Sequence, residues 1–137
     1  MALNVTIDTN IILDALLKRE PWHEAAEQII LLSASKKINA SISASTVTDI
    51  YYIISRKICK PEAKETILKL SKLMNFTTVD HSDCVKALTT GIDDFEDSLL
   101  SVSAAKSKSK YIVTRNAKHF ENSKVLPIEP DEFLKLV

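Results

Sequence analysis

The chain has 137 residues, 45% of them hydrophobic and 26% charged, with 18 Lys and Arg balanced by 18 Asp and Glu. That length suits one compact domain with one core and is too short for two ordinary ones, and the apolar content at zero net charge excludes a disordered chain. A single glycine excludes the Gly-rich phosphate loops of dinucleotide-binding and P-loop proteins, and the charge balance gives no whole-molecule attraction for a polyanion, which leaves local patches to supply it.

Met1-Ala2-Leu3-Asn4-Val5 lacks a basic n-region and a long apolar stretch, so no signal peptide is expected. No apolar run approaches the ~18 residues of a membrane span. A soluble cytoplasmic protein without membrane contact is the expectation. Val5-Thr6-Ile7 reads as a short buried strand ending at Asp8, and Asn10 to Lys18 carries apolar residues at a helical period. Pro21 opens a second helical stretch through Lys36. Asn39 to Ile42 is a weak strand, and Ser45 or Thr46 caps a helix running to Lys57. Pro61 starts the next helix, and Phe76 to Val79 reads as a strand. Ser82 to Leu88 is helical, as is the stretch from Asp93 or Asp94 through Ala105. Tyr111 to Val113 is a strand, Asn116 to Phe120 a helical turn, Val125 to Ile128 a last strand, and Pro130 to Leu136 a closing helix. Strands this short and apolar, separated by helices, predict an α/β fold: a three-layer α/β/α sandwich with a mostly parallel central sheet, in one domain over residues 1–137. Cys59 and Cys84 form no metal-binding pattern and are expected to be buried reduced thiols.

In such folds ligands bind beyond the carboxyl ends of the strands. Asp8 follows the first strand directly, and Thr114-Arg115-Asn116 follows the Tyr111–Val113 strand in the same way. Asp94 and Asp97 stand three apart on one helix face, while Phe95, Leu99 and Leu100 are expected toward the core. Asp49 lies inside the helix that ends at Lys57. Each has a plainer alternative: Asp94 and Asp8 as helix caps, Asp49 as a solvated side chain. Acids gathered in one cleft repel unless a cation neutralises them, and oxygen donors of this type suit Mg²⁺ or Mn²⁺.

Four blocks in order carry a resemblance: Ile7-Asp8-Thr9-Asn10-Ile11-Ile12-Leu13-Asp14, Ser45-Thr46-Val47-Thr48-Asp49-Ile50-Tyr51-Tyr52, Asp94-Phe95-Glu96-Asp97-Ser98-Leu99, and Ile112-Val113-Thr114-Arg115-Asn116-Ala117-Lys118-His119-Phe120. The sequence resembles the PIN-domain family from Val5 to the tail Pro130–Leu134, and within it the ribonuclease toxins of type II toxin–antitoxin pairs. The resemblance implies a metal-dependent ribonuclease using Mg²⁺ or Mn²⁺, with Asp8, Asp97 and Asp94 as metal ligands or carboxylates beside them. It implies catalytic parts for Asp49 and Asn116, and supporting hydroxyl and amide groups in Thr9, Asn10 and Thr114. It also implies an RNA substrate, an antitoxin partner and a homodimer formed through apolar helices such as Ile11–Leu17. Asp49 stands where many members carry Glu, Asn116 where an acid is frequent, and His119 where an acid commonly precedes the Phe. The alternative is therefore a catalytically weakened PIN domain that binds RNA or protein.

Arg115 and Lys118 follow a strand on the proposed active edge and are the better phosphate candidates, while Lys106, Lys108 and Lys110 precede that strand and are expected at the opposite edge or in a solvated turn. Arg56, Lys57 and Lys60 form a second patch. Of Tyr51-Tyr52, one is expected in the core, and the other on a base or in a dimer contact. His23, His81 and His119 are scattered, and His119 reads as capping or solvated rather than catalytic. Haloacid-dehalogenase-type phosphatases begin with a strand and Asp-x-Asp, but here the second acid is Asn10, and phosphoacceptor receivers need paired acids where Ile7-Asp8-Thr9 has one.

Overall fold

The computed structural model describes residues 2–137. Five strands, β1 (Leu3–Ile7), β2 (Ile38–Ser43), β3 (Asn75–Thr77), β4 (Tyr111–Val113) and β5 (Leu126–Ile128), make one sheet in the order β3-β2-β1-β4-β5, parallel at every pairing. Among the described residues six helices lie between them, α1 (Thr9–Leu16), α2 (His23–Ala34), α3 (Ala44–Lys57), α4 (Lys60–Leu73), α5 (His81–Ala87) and α6 (Phe95–Lys106), with a 3-10 turn at Ala117–Phe120, and a seventh, α7 (Pro130–Leu136), follows β5.

Residue alternation divides the sheet into two faces. Val5, Ile7, Ala40, Ile42 and Val113 enter one buried cluster with Ile11, Ile12, Ile29, Ile50 and Phe133, whereas Ile112 joins Leu100, Ala104, Phe120 and Val125 in the other. Thr6 and Ser43 point the second way, their hydroxyls meeting Ser109 at 2.7 Å and Ser103 at 3.3 Å, so small polar side chains let α6 lie close against the sheet. The steps from β1 to β2 and from β2 to β3 run toward one edge, and the step from β3 to β4 runs back past them. Right-handed crossovers then place α1–α4 on one face and α5–α6 on the other, matching the helix contacts, with α7 docking on α2. Phe133 is fully buried and contributes about 2–3 kcal/mol by apolar transfer, which fastens the C-terminal helix to the core. The α/β/α layering expected from the sequence is what the chain adopts.

Helix ends follow local chemistry. Asp80 and Asp83 exchange bonds in a capping box that opens α5. Lys18, Lys36 and Lys108, each two residues past the end of α1, α2 or α6, have φ of 53°, 60° and 58°, the left-handed position where glycine usually stands. With one glycine in the chain, lysine occupies it three times.

Several expectations change. Helix α2 begins at His23 rather than Pro21. Strand β3 spans Asn75–Thr77, releasing Thr78 and Val79 to lead into the Asp80 cap. Cys59 is exposed and Cys84 half-buried, because Cys59 sits just before α4 as its cap residue and Cys84 on the short helix α5, which packs mainly against α6. Phe95 is exposed at the start of α6, one residue after its cap. Ile11, Ile12 and Leu13 are buried in the chain's own core, and of the stretch Ile11–Leu17 only Leu16 and Leu17 are partly exposed. Among the described residues no helix is long and apolar enough to cross a membrane.

Candidate active site

The direction of strand order reverses between β1 and β4, and the chain leaves both strands at their carboxyl ends beside one another. A cavity of about 330 Å³ opens at this point, lined by Asp8, Asp49, Glu96, Asp97 and Asn116 together with hydroxyl and apolar side chains. Thr9 of α1, Ser45 and Thr46 of α3, and Glu96 and Asp97 of α6 are all first-turn residues on its wall. Three helix N-termini therefore look into one space, a field that favours anions. No Lys, Arg or His is among its lining residues.

Asp8 occupies the cap position of α1 but makes no side-chain capping bond. It is only 8% exposed. Its Oδ2 accepts the Thr114 hydroxyl at 2.8 Å, and Thr114 Oγ1 in turn accepts the Asn116 N–H at 3.0 Å. One hydroxyl thus ties the exit of β1 to the exit of β4. Burial pushes the Asp8 carboxyl above its usual range, and the Thr114 bond and the Arg115 charge partly offset this.

Asp97 is raised from 3.8 to about 6, first by burial and then by the charges of Asp94 and Asp8, with His119 opposing. Its Oδ2 lies 3.4 Å from His119 Nδ1, which places that exposed imidazole at the rim. Glu96 is raised mainly by the Asp49 charge, and Asp49 by burial. Burial thus raises Asp8, Asp49 and Asp97 first, and the neighbouring acids add to it at Asp97 and lead at Glu96.

Not every expected residue reaches the cavity. Asp94 caps α6 by accepting the Asp97 N–H at 3.0 Å and lines a neighbouring depression with Lys118 and His119, so it acts on the cavity through its charge. Thr9 and Asn10 line the wall, where Thr9 Oγ1 donates to Thr46 at 3.0 Å and Asn10 Oδ1 accepts from Arg19 at 3.4 Å. Thr114 is fully buried behind Asp8. Arg115 is spent inside the fold: its Nε and Nη2 donate to the buried Asp14 carboxylate at 2.7 and 3.2 Å, and its guanidinium lies 3.8 Å over the Trp22 ring. Lys110 enters β4 at the amino edge, opposite the acids, and Lys106 is held by Asp83 at 2.8 Å.

Glu96 is the residue that the spacing argument passes over. Asp94 and Asp97 are three apart, yet Asp94 precedes the helix as its cap, and the adjacent pair Glu96 and Asp97 in the first turn is what faces the cavity. The block Asp94-Phe95-Glu96-Asp97 held that signal.

The donors are all oxygen: carboxylates of Asp8, Asp49, Glu96 and Asp97 and the amide of Asn116. That set fits a hard divalent cation such as Mg²⁺ or Mn²⁺ rather than zinc. Among the described residues no three His, Cys, Asp or Glu side chains are grouped closely enough to hold an ion as they stand.

A model of the PIN domain matches residues 4–118. No curated protein sequence matches the chain. Solved structures do. A chain of the VapBC2 complex of Rickettsia felis, bound to a DNA fragment from its promoter, is 16% identical with a TM-score of 0.70 over 93% of this chain and 98% of that one. VapBC-1 from nontypeable Haemophilus influenzae gives 17% identity and a TM-score of 0.69 over 94% and 99%. VapC20 of Mycobacterium tuberculosis, a toxin that cleaves the sarcin–ricin loop, gives 16% and 0.62 over 79% and 86%. At such identities the likeness is one of fold.

Proposed function

This chain belongs to the PIN-domain family, and from that membership we propose that it is a divalent-metal-dependent ribonuclease acting in the cytoplasm as the toxin of a toxin–antitoxin pair. The observation that carries the reading is the convergence of Asp8, Asp49, Glu96 and Asp97, from the exit of β1 and the helices α3 and α6, on one cavity that no Lys, Arg or His lines. Carboxylates that raise one another's proton affinity are a site short of positive charge.

Asp8 and Asp97 would hold Mg²⁺ or Mn²⁺, with Asp49, Glu96 and Asn116 reaching it directly or through water. When bound, such an ion neutralises developing phosphate charge and acidifies water. The chain's own groups do the rest. Thr114 fixes Asp8, the α1, α3 and α6 N-termini favour the phosphate, and a carboxylate of the Glu96–Asp97 pair accepts the proton of the attacking water. The new P–O bond forms from that water as the bond to the departing ribose oxygen breaks, and the leaving oxygen takes its proton from solvent. Thr9 and Asn10 line the path to the phosphate. Lys118, on the rim beside His119, supplies a weaker cationic contact because acids share its depression. The partner reading, an antitoxin, draws on the VapBC complexes that share the fold. A homodimer stays part of the proposal, with Leu16 and Leu17 at the end of α1 as its partly exposed apolar residues.

The test is cleavage of single-stranded RNA with and without Mg²⁺ or Mn²⁺. Activity that EDTA removes and that Asp8→Asn and Asp97→Asn abolish, together with growth arrest on expression, is the expected result. A binding-only PIN domain is favoured by one observation, the absence among the described residues of a ready three-ligand cluster. Wild-type protein that binds RNA but cleaves none at any metal concentration would establish it.

A further inference from the structure

Beside the acidic cavity lies a second, apolar depression, and the two share a wall. Tyr52 of α3 lines both, and the neighbour is completed by Val47, Thr48, Tyr51, Lys64 and Ile67 from α3 and α4. Tyr52 is 56% exposed, so its ring stands open to solvent between the two depressions. Arg56 lies over one face of that ring with its guanidinium carbon 4.8 Å from the centroid. Among the described residues neither Arg56 nor Lys64 has a salt-bridge partner; Arg115 and Arg19 are engaged on Asp14 and His119 on Asp97, and Lys118, also without an ion pair, shares its depression with Asp93, Asp94 and Glu121.

A polyanion approaching four carboxylates needs cations outside them, and an apolar slot with an aromatic wall needs a flat apolar ligand. Among the described residues the α3–α4 flank offers both within one side chain of the cavity. We propose that this depression is a nucleobase subsite: an unpaired base next to the scissile phosphate stacks on the Tyr52 face opposite Arg56 and rests on Val47 and Ile67, while Arg56 and Lys64 hold the phosphates on either side. The inference rests on the ribonuclease reading and adds where, and by what contacts, the strand is held. A base confined in a helix cannot enter, so the subsite selects unpaired nucleotides.

The experiment uses the full chain carrying Asp8→Asn, so that RNA is bound and not cut, and an unpaired oligoribonucleotide with 2-aminopurine at one position. Stacking on Tyr52 quenches that fluorophore on binding. Tyr52→Ala is expected to remove the quench and weaken binding about 10-fold or more, the scale of one base–aromatic stack. Tyr52→Phe, which keeps the ring, restores both. Arg56→Ala and Lys64→Ala weaken binding with a shallower salt dependence and leave the quench in place. In the cleaving protein the Tyr52→Ala loss should fall on KM. A stem-paired oligonucleotide of the same sequence should give no quench. Because Tyr52 and Lys64 are exposed, these variants should keep the parent's circular dichroism.

Binding that Tyr52→Ala and Arg56→Ala leave unchanged overturns the subsite. So does a Tyr52→Ala protein whose sedimentation shows a smaller species while RNA binding is unaltered, which would make the depression a contact between copies. Absence of any quench with the parent overturns it as well. The two readings separate cleanly: a Tyr52-dependent quench without cleavage by the wild type rejects the nuclease and keeps the subsite, and cleavage with an unchanged KM in Tyr52→Ala does the reverse.

Discussion

Replacing Asp97 by Asn should make the metal-free protein more stable at neutral pH even as it abolishes cleavage. The folded Asp97 carboxyl titrates at about 6, against 3.8 for an unperturbed one, because burial and the charges of Asp94 and Asp8 disfavour its ionised form. Between those values the folded chain binds more protons than the unfolded chain, so Asp97 lowers stability as pH rises through that window and the loss persists above it. The difference corresponds to about 3 kcal/mol at most. Asn keeps the shape and a hydrogen-bonding group without the charge, so urea unfolding near pH 7.5 without metal should show Asp97→Asn more stable by about 1–3 kcal/mol. Near pH 3.5 the two proteins should agree, since both then carry a neutral side chain. Added Mg²⁺ should reverse the order, because an ion that binds only the folded state stabilises wild type more than the variant. If Asp97→Asn is destabilised at neutral pH without metal, or if its advantage is the same at both pH values, the charge-crowding account of the cavity is wrong.

Arg115→Ala leaves Asp14, which is fully buried, with only Arg19 at 3.6 Å, and should cost about 3–5 kcal/mol, while Asp14→Met combined with Arg115→Met should recover most of it; equal losses in urea unfolding would show that the pair is not what holds the segment. Lys36→Gly relieves a left-handed residue at φ 60° after α2 and should add about 0.5–1 kcal/mol, read as a higher Tm, and a lower Tm would count against backbone strain there. Thr114→Val removes the donor to Asp8 while keeping its volume. The Asp8 proton affinity rises further, so the acid limb of the cleavage pH profile should move to higher pH, and an unmoved limb would deny Thr114 that part.

The fold was legible wherever one physical requirement dominated. A strand buried on both faces needs near-continuous apolar or small residues, and Val5-Thr6-Ile7 and Tyr111-Ile112-Val113 supply them. Element boundaries were less legible because side-chain chemistry outside the periodic pattern decides them. Asp80 stops the β3 segment by capping α5, and Pro21 takes part in a turn that precedes α2 rather than in its first turn. Cysteine burial was misjudged because composition says nothing of which residue lies at a helix cap, and Cys59 lies at one.

At the site, what sequence could recognise was residues that a strand end delivers directly. Asp8 and Asn116 follow β1 and β4 and arrive in one cavity because those strands are neighbours where the sheet order reverses. What it could not recognise was competition for the same charge. Arg115 is one residue from Asn116 and looked free for phosphate, but a carboxylate buried as deeply as Asp14 must have a cation, and Arg115 holds it more closely than Arg19 does at 3.6 Å. The same logic moves the cationic contact with substrate to the α3–α4 flank, where Arg56 and Lys64 have no buried acid to satisfy. Glu96 follows from the converse: it lines the cavity from the first turn of α6 beside Asp97, where the Asp49 charge raises its proton affinity, and a three-residue spacing counted from the cap Asp94 passes over it.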